Sequence, residues 1–334
     1  MTTKEKIEKF KQEFDPFFLK EVRSILKEQR EFHSIATELD EFLIDIVLNY
    51  TKGGKRIRPF LIDFFADTDL EDDLLMDICL ASELFHLAAI IHDDIMDESV
   101  TRRGVQTIHV ATQKFSQGSK RLGSDVAIIM GDIFLVESMA KAANLPKPIF
   151  KEFRKMIQRT TRGQYLDSFG MNKTLGAVSE ETVLARHELK TAWYTFTSPA
   201  IFGFMLSGTN SDESLDVLVS IMTELGLLFQ IRDDIIDCID KNSGKPLFGD
   251  IFENQTTWVT LYVKDNYPEK FLDIVKFKDT KDVQIFEGIF SDIDLKTPYK
   301  KEFQKRLSLI DTIDVKHESI KEKAREVLNI LRLE

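Results

Sequence analysis

Two short acidic strings carry the first chemical signal, Asp93-Asp94-Ile95-Met96-Asp97 and Asp233-Asp234-Ile235-Ile236-Asp237. On a helix, residues four apart share a face, so Asp93 lines up with Asp97 and Asp233 with Asp237, while Asp94 and Asp234 lie three before the last acid. Both strings close strongly apolar runs, Leu84 to Ile91 and Leu225 to Ile231. Carboxylates crowded in such places repel one another unless a cation neutralises them. Magnesium suits carboxylate oxygens and bridges one or two of them to substrate phosphates. Two facing clusters would hold a diphosphate through several metals. A near copy, Asp72-Asp73-Leu74-Leu75-Met76-Asp77, has one extra residue and reads as a helix start, where acids suit the macrodipole.

Basic residues sit where an anion would need them. In Gly53-Gly54-Lys55-Arg56-Ile57-Arg58-Pro59, two glycines allow close backbone approach to a ligand while Lys55 and Arg58 supply charge. Arg102 and Arg103 follow the first acidic string closely enough to clamp a phosphate. No Ser/His/Asp or Cys/His arrangement stands out, so the acids read as metal ligands rather than acid–base groups.

The elements that must position these residues read as helices. Glycine (15) and proline (8) are scarce, strand-like alternation is rare, and apolar residues recur at three- and four-residue spacing. Stripes such as Ile7/Phe10/Phe14, Phe42/Ile46/Tyr50, Leu80/Leu84/Leu87/Ile91 and Val217/Ile221/Leu225/Leu228 face a core. The breaks are short and no Ser/Gly/Pro-rich linker divides the chain, so one helical domain over residues 1–334 is the simplest account. The segment from Lys316 to Leu333 reads as an exposed terminal helix. Hydrophobic residues are 43% and charged residues 30%, as in an ordinary globular protein. A net charge of −11 argues against broad attraction to nucleic acid or anionic lipid. Cys79 and Cys238 show no disulfide or zinc spacing, which fits a reducing cytoplasm. No secretory leader and no stretch of about 18 uncharged apolar residues is read, so no transmembrane segment is expected.

Taken in order, GGKRIRP at 53–59, HDDIMDESVTRRG at 92–104, GQYLD at 163–167, KTAWYTF at 190–196 and FQIRDDIID at 229–237 resemble the trans-isoprenyl diphosphate synthases, the polyprenyl synthetase family. The resemblance covers most of the chain, from Gly53 to Trp258. It implies an all-α, single-domain helical bundle of the isoprenoid synthase type with a central active-site cavity. It also implies a homodimer working with several magnesium ions, about three per site. Asp93, Asp97 and Asp233 would ligate magnesium, with Asp94, Asp167, Asp234 and Asp237 beside them. Arg102, Lys190 and Lys245 would grip an allylic diphosphate. Gly54, Lys55, Arg58, His86 and Arg103 match positions that hold isopentenyl diphosphate. Gln164, Thr191, Phe229 and Gln230 would line the reaction zone, with Lys190, Thr191, Gln230 and Arg102 closest to the chemistry. Tyr194 and Phe196 read as core. One departure stands out: where the family commonly has a lysine five residues after Asp250, this chain has Gln255.

The implied reaction is chain elongation: the allylic carbon–oxygen bond ionises, isopentenyl diphosphate attacks the cation through its double bond, and a proton leaves. Product length would depend on the helix before Asp93. Ala88 and Ala89 stand where farnesyl synthases resemble one another in having bulky aromatics, and Phe85 lies one turn deeper, about 5.4 Å away, close to one isoprene unit. That favours geranylgeranyl diphosphate, with farnesyl or longer chains as the alternatives. Gln255 leaves open a catalytically weak or regulatory subunit of a heteromeric synthase. A terpene cyclase is disfavoured by the intact second Asp-Asp-x-x-Asp string and the GGKRIRP site.

Overall fold

The computed structural model describes residues 1–29, 37–67, 72–171, 173–208, 211–241 and 247–333, in two compact units, Met1–Phe150 and Lys151–Glu334. Among these residues the strands are confined to one two-stranded antiparallel hairpin, β1 (Thr101–Arg102) and β2 (Val105–Gln106). The expected all-α fold is what forms.

In the first unit, α1 (Thr3–Glu28) starts with a capping box in which Thr2 and Glu5 satisfy each other's backbone N–H. Its buried face stacks Phe10 on Phe14 and Phe14 on Phe18, with ring centroids 5.3 and 6.0 Å apart. Next come α2 (Thr37–Thr51) and α3 (Ile57–Ala66), which follows the Gly53-Gly54 turn. In α2 the buried face is Leu43, Ile44, Val47, Leu48 and Tyr50, so the expected stripe is rotated by a residue and Phe42 and Ile46 are only half-buried. The centre is α4 (Asp73–Met96), whose side chains from Leu75 to Ile91 are mostly buried. Asp72 caps it, accepting from Leu74 and Leu75 N–H at 2.9 and 3.0 Å, as the sequence suggested for that acidic pair. Beyond the hairpin, α5 (Ile108–Phe115) and α6 (Lys120–Ala143) complete the unit. α6 packs closely on α4: a Cβ at Gly131 would lie 2.2 Å from His92 Nε2.

α7 (Lys147–Met171) leads into the second unit, followed by α8 (Glu180–His187), a wide π-helical stretch from Glu188 to Thr197, and α9 (Ser198–Leu206). The central helix here is α10 (Asp212–Ile239), with Leu218, Ile221, Met222, Leu225, Leu228 and Ile231 buried. Short α11 (Gly249–Phe252) and α12 (Trp258–Asn266) follow, then α13 (Pro268–Phe277), α14 (Val283–Phe290), α15 (Lys296–Asp311) and α16 (Glu318–Ile330). The terminal helix is not simply exposed. Ile320, Ala324, Val327 and Leu328 are buried, and Leu331 O accepts from the buried Tyr299 hydroxyl. By length and composition α4 and α10 are long and apolar enough to cross a membrane when a window may hold up to two charged residues, although neither contains an uncharged run of about 18 residues. For α4 the reason is burial: 72% of its most apolar window lies inside the protein, as befits a core helix, against 39% for α10.

Candidate active site

Each unit carries one acidic cluster. In the first, the helical twist that aligns Asp93 with Asp97 turns Asp94 inward, where it is 1% exposed. Its carboxylate accepts the Tyr50 hydroxyl at 2.5 Å and Arg102 Nε and Nη2 at 2.7 and 2.6 Å. Burial raises the Asp94 pKa, with Arg102 and Tyr50 pulling against it. Burial also raises that of Tyr50, as does the charge of Asp94, so the phenol stays a donor. The same guanidinium lies 3.7 Å from Asp93 through Nη2. It is delivered there by the hairpin, whose turn residues Arg103 and Gly104 both have positive φ, 53° and 79°.

The Gly53-Gly54 turn gathers the basic residues. Gly53 sits at φ 74°, and a Cβ on Gly54 would lie 2.4 Å from Arg56 Nη1 and 3.3 Å from Arg103 Nη1. Arg56 is a structural anchor, 4% exposed, donating to Asp15 at 2.6 Å, Glu83 at 2.7 Å and Thr51 O at 2.9 Å, with Phe18 beneath it. That leaves Lys55 exposed and Arg58 half-buried. Burial, then the charges of Arg58, Arg103, Arg102 and Arg56, push the His86 pKa well below its ordinary value, so the ring is neutral among cations. Gly54, Arg58, His86 and Arg103, matched from sequence to the isopentenyl diphosphate positions, thus lie in one basic neighbourhood with Arg102, matched to the allylic diphosphate, beside the Asp93–Asp97 helix end. Ala88 is buried and Ala89 half-buried about one turn before Asp93, and Phe85 is buried about two turns before it.

In the second unit the π-helical stretch is seated by two glycines. A Cβ on Gly163 of α7 would lie 2.3 Å from Lys190 N, and one on Gly226 of α10 would lie 2.6 Å from Ala192 Cα. Backbone therefore packs directly on both neighbours, and the extra residue per turn presents Lys190 to α7, with Nζ 2.5 Å from Asp167 Oδ2. On α10, Asp234 repeats what Asp94 does. It is 2% exposed, accepts Gln230 Nε2 at 2.8 Å and Trp258 N at 3.1 Å, and has His187 Nε2 at 3.5 Å. Burial, and next the charge of Asp250, push its pKa up. Phe248, at φ 61°, donates its N–H to Asp237 O at 2.8 Å and turns the chain so that Asp250 N reaches Asp237 Oδ2 at 3.3 Å. Phe229 packs on Phe196 at 5.1 Å; Phe196 and Tyr194 are buried, as core residues should be. Gln164 and Thr191 are half-buried, and Lys245 lies outside the described residues.

Four residues given no site role from sequence complete these networks: Tyr50, read as core; Asp250, named only to place Gln255; and Arg186 and His187, which drew no reading. Arg186 donates to Gln255 Oε1 at 2.9 Å and Thr256 O at 2.7 Å, and its Nε lies 3.3 Å from Asp167 Oδ1. In sequence it is one more charge on a short helix, with nothing to mark it as buried. Among the described residues no three acidic, histidine or cysteine side chains converge to hold an ion alone. Carboxylate oxygens are the donors magnesium takes, and it keeps few protein ligands. The donor set therefore fits that ion.

A polyprenyl synthetase family model matches residues 40–293. A short chain isoprenyl diphosphate synthase of Methanocaldococcus jannaschii is 29% identical over 250 residues, 71% of this chain and 72% of that protein. A geranylgeranyl diphosphate synthase of Sulfolobus acidocaldarius is 29% identical over 219 residues, 62% of each chain. Among solved structures, a T. brucei farnesyl diphosphate synthase bound to a bisphosphonate matches with a TM-score of 0.76 at 18% identity, over 97% of this chain and 99% of that one. A Corynebacterium glutamicum geranylgeranyl pyrophosphate synthase bound to isoprenyl diphosphate and magnesium matches with 0.72 at 24%, over 93% and 98%. With its ordered motifs seated on helices in the same all-helical fold, the chain belongs to the polyprenyl synthetase family and is a trans-prenyltransferase.

Proposed function

We propose that this enzyme condenses isopentenyl diphosphate with an allylic diphosphate, releases diphosphate, and stops at geranylgeranyl diphosphate. The observation that carries the reading is the division of labour within each acidic string. The middle acid is buried and accepts several hydrogen bonds from the protein, while the first is half-buried in the last turns of its helix, Asp93 with Arg102 at 3.7 Å. Asp93, Asp97 and Asp233 would hold magnesium, with Asp237 beside them; the ion, when bound, supplies positive charge to the departing diphosphate. Asp94, Asp234 and Asp167 position their neighbours: Asp94 holds Arg102, Asp234 holds Gln230, and Asp167 holds Lys190.

Arg102 and Lys190 hold the allylic diphosphate and stabilise charge as the carbon–oxygen bond ionises; Lys245 would add a third cation. Lys55, Arg58, Arg103 and the Gly54 backbone hold isopentenyl diphosphate, with His86 neutral beside them. Gln164, Thr191, Gln230 and Phe229 line the path of the allylic cation. The proton lost after attack goes to the released diphosphate, so no side-chain base is needed. Both units contribute to a single polyprenyl synthetase domain, supported by the family match running through both. A homodimer and a cytoplasmic location belong to the same proposal, the latter supported by two buried free thiols.

Mass analysis of products from dimethylallyl, geranyl and farnesyl diphosphates, each with isopentenyl diphosphate and magnesium, tests the reading. A twenty-carbon diphosphate from every starter is expected; hydrocarbon, or no product at all, refutes it.

A further inference from the structure

Lys190, Asp167, Arg186 and Gln255 form one chain of contacts. Asp167, 6% exposed, is held by a cation at each oxygen, Lys190 Nζ at 2.5 Å on Oδ2 and Arg186 Nε at 3.3 Å on Oδ1. Arg186 is equally buried, and its other nitrogens are spent on Gln255 Oε1 at 2.9 Å, Thr256 O at 2.7 Å and His187 Nε2 at 3.5 Å. Positions 186 and 190 are four apart where α8 passes into the π-helical stretch, so one face delivers both cations to the same carboxylate.

Gln255 is 6% exposed, and its carbonyl is the right partner for a guanidinium. A lysine there reaches one bond further than glutamine. Its ammonium would enter the space that Arg186 Nη1 fills and put two buried like charges in contact, which is strongly unfavourable. The loop beyond is also fixed by Arg186, because Thr256 leads through the cap residue Thr257 into Trp258, whose N–H donates to Asp234 Oδ2 at 3.1 Å. Asp234 in turn holds Gln230.

We propose that Arg186 and Gln255 are a matched pair in which the positive charge expected at position 255 has moved to position 186. Arg186 is thus a positioning residue that sets Lys190, through Asp167, and Gln230, through Asp234, for the allylic diphosphate. The inference rests on the prenyl-elongation reading.

The test is a double-mutant cycle of Arg186→Met, Gln255→Lys and the pair together. It is read as KM for the allylic diphosphate against kcat, and as calorimetric binding of inorganic diphosphate with magnesium. Each single change is expected to weaken diphosphate binding and raise KM about 10- to 100-fold, the scale on which partners of site residues act. The double variant, in which the introduced ammonium takes the space the guanidinium leaves, is expected to return to within about fivefold of the parent. Arg186→Lys keeps a charge and is expected to fold and lose less than Arg186→Met, so the cycle stays readable if the methionine variant does not fold. A double variant no better than the worse single one, or Arg186→Lys as impaired as Arg186→Met, overturns the pairing. An unsubstituted protein that neither binds diphosphate nor makes product overturns the elongation reading itself, which distinguishes the two failures.

Discussion

Asp94 and Asp234, the most buried members of their clusters, show how a single carboxylate organises the groups around it. Asp94 fixes a guanidinium and a phenol, and Asp234 fixes an amide and a helix start. Each is costly to bury, and each is satisfied by several donors, which makes its geometry exacting. His86 is the neutral counterpart among the first unit's arginines, its pKa pushed well below 6.5 by burial and by Arg58, Arg103, Arg102 and Arg56. The sign follows from proton binding. Between the ordinary and the depressed value the unfolded chain carries a proton that the folded one does not. Stability is therefore fully present above about pH 6.5 and falls by up to about 1.4 kcal/mol per pH unit as pH drops through that window. Urea unfolding at about pH 7.5 and pH 5.5 should show His86→Gln losing roughly 1 kcal/mol less than the parent. An identical loss in both would contradict the placement of a neutral His86.

At the level of elements, the π-helical stretch decides where Lys190 stands, and Gly163 and Gly226 decide whether that stretch fits. Gly226→Ala puts a methyl 2.6 Å from the Ala192 backbone. It is expected to cost about 1–3 kcal/mol in stability, the range for overpacking, and to raise KM for the allylic substrate. Denaturant titration with steady-state kinetics checks both, and unchanged stability would show that the backbones are not in contact. These glycines also mark the limit of what the sequence discloses. The acid-bearing helices α4 and α10 were legible because periodicity and motif both lie along one helix. The π-helical stretch was not, since its extra residue per turn is imposed by glycines on two other helices. Arg186 stayed hidden for a related reason: its partner Gln255 is 69 residues away. The last helix looked exposed because its charges are more numerous than the buried Ile320, Ala324, Val327 and Leu328 that dock it.

For the whole molecule, a net charge of −11 coexists with a local concentration of arginine around His86, so on the proposed reading any diphosphate affinity would come from placement rather than total charge. Product length is also an outcome of the whole catalytic cycle. If Phe85 ends the chain's path, Phe85→Ala should shift the product from twenty carbons to twenty-five or more, read by mass; an unchanged product removes Phe85 from that role. We propose that Asp93 and Asp233 both serve one magnesium-dependent condensation. This central claim is tested most directly by measuring diphosphate release from farnesyl and isopentenyl diphosphates with magnesium for Asp93→Asn, Asp233→Asn and the double variant. Each single change is expected to lower kcat about 100-fold or more, and the double should fall little further, as residues acting as one unit do. A single variant that keeps the parent's rate, or losses that multiply as for independent sites, would contradict the account.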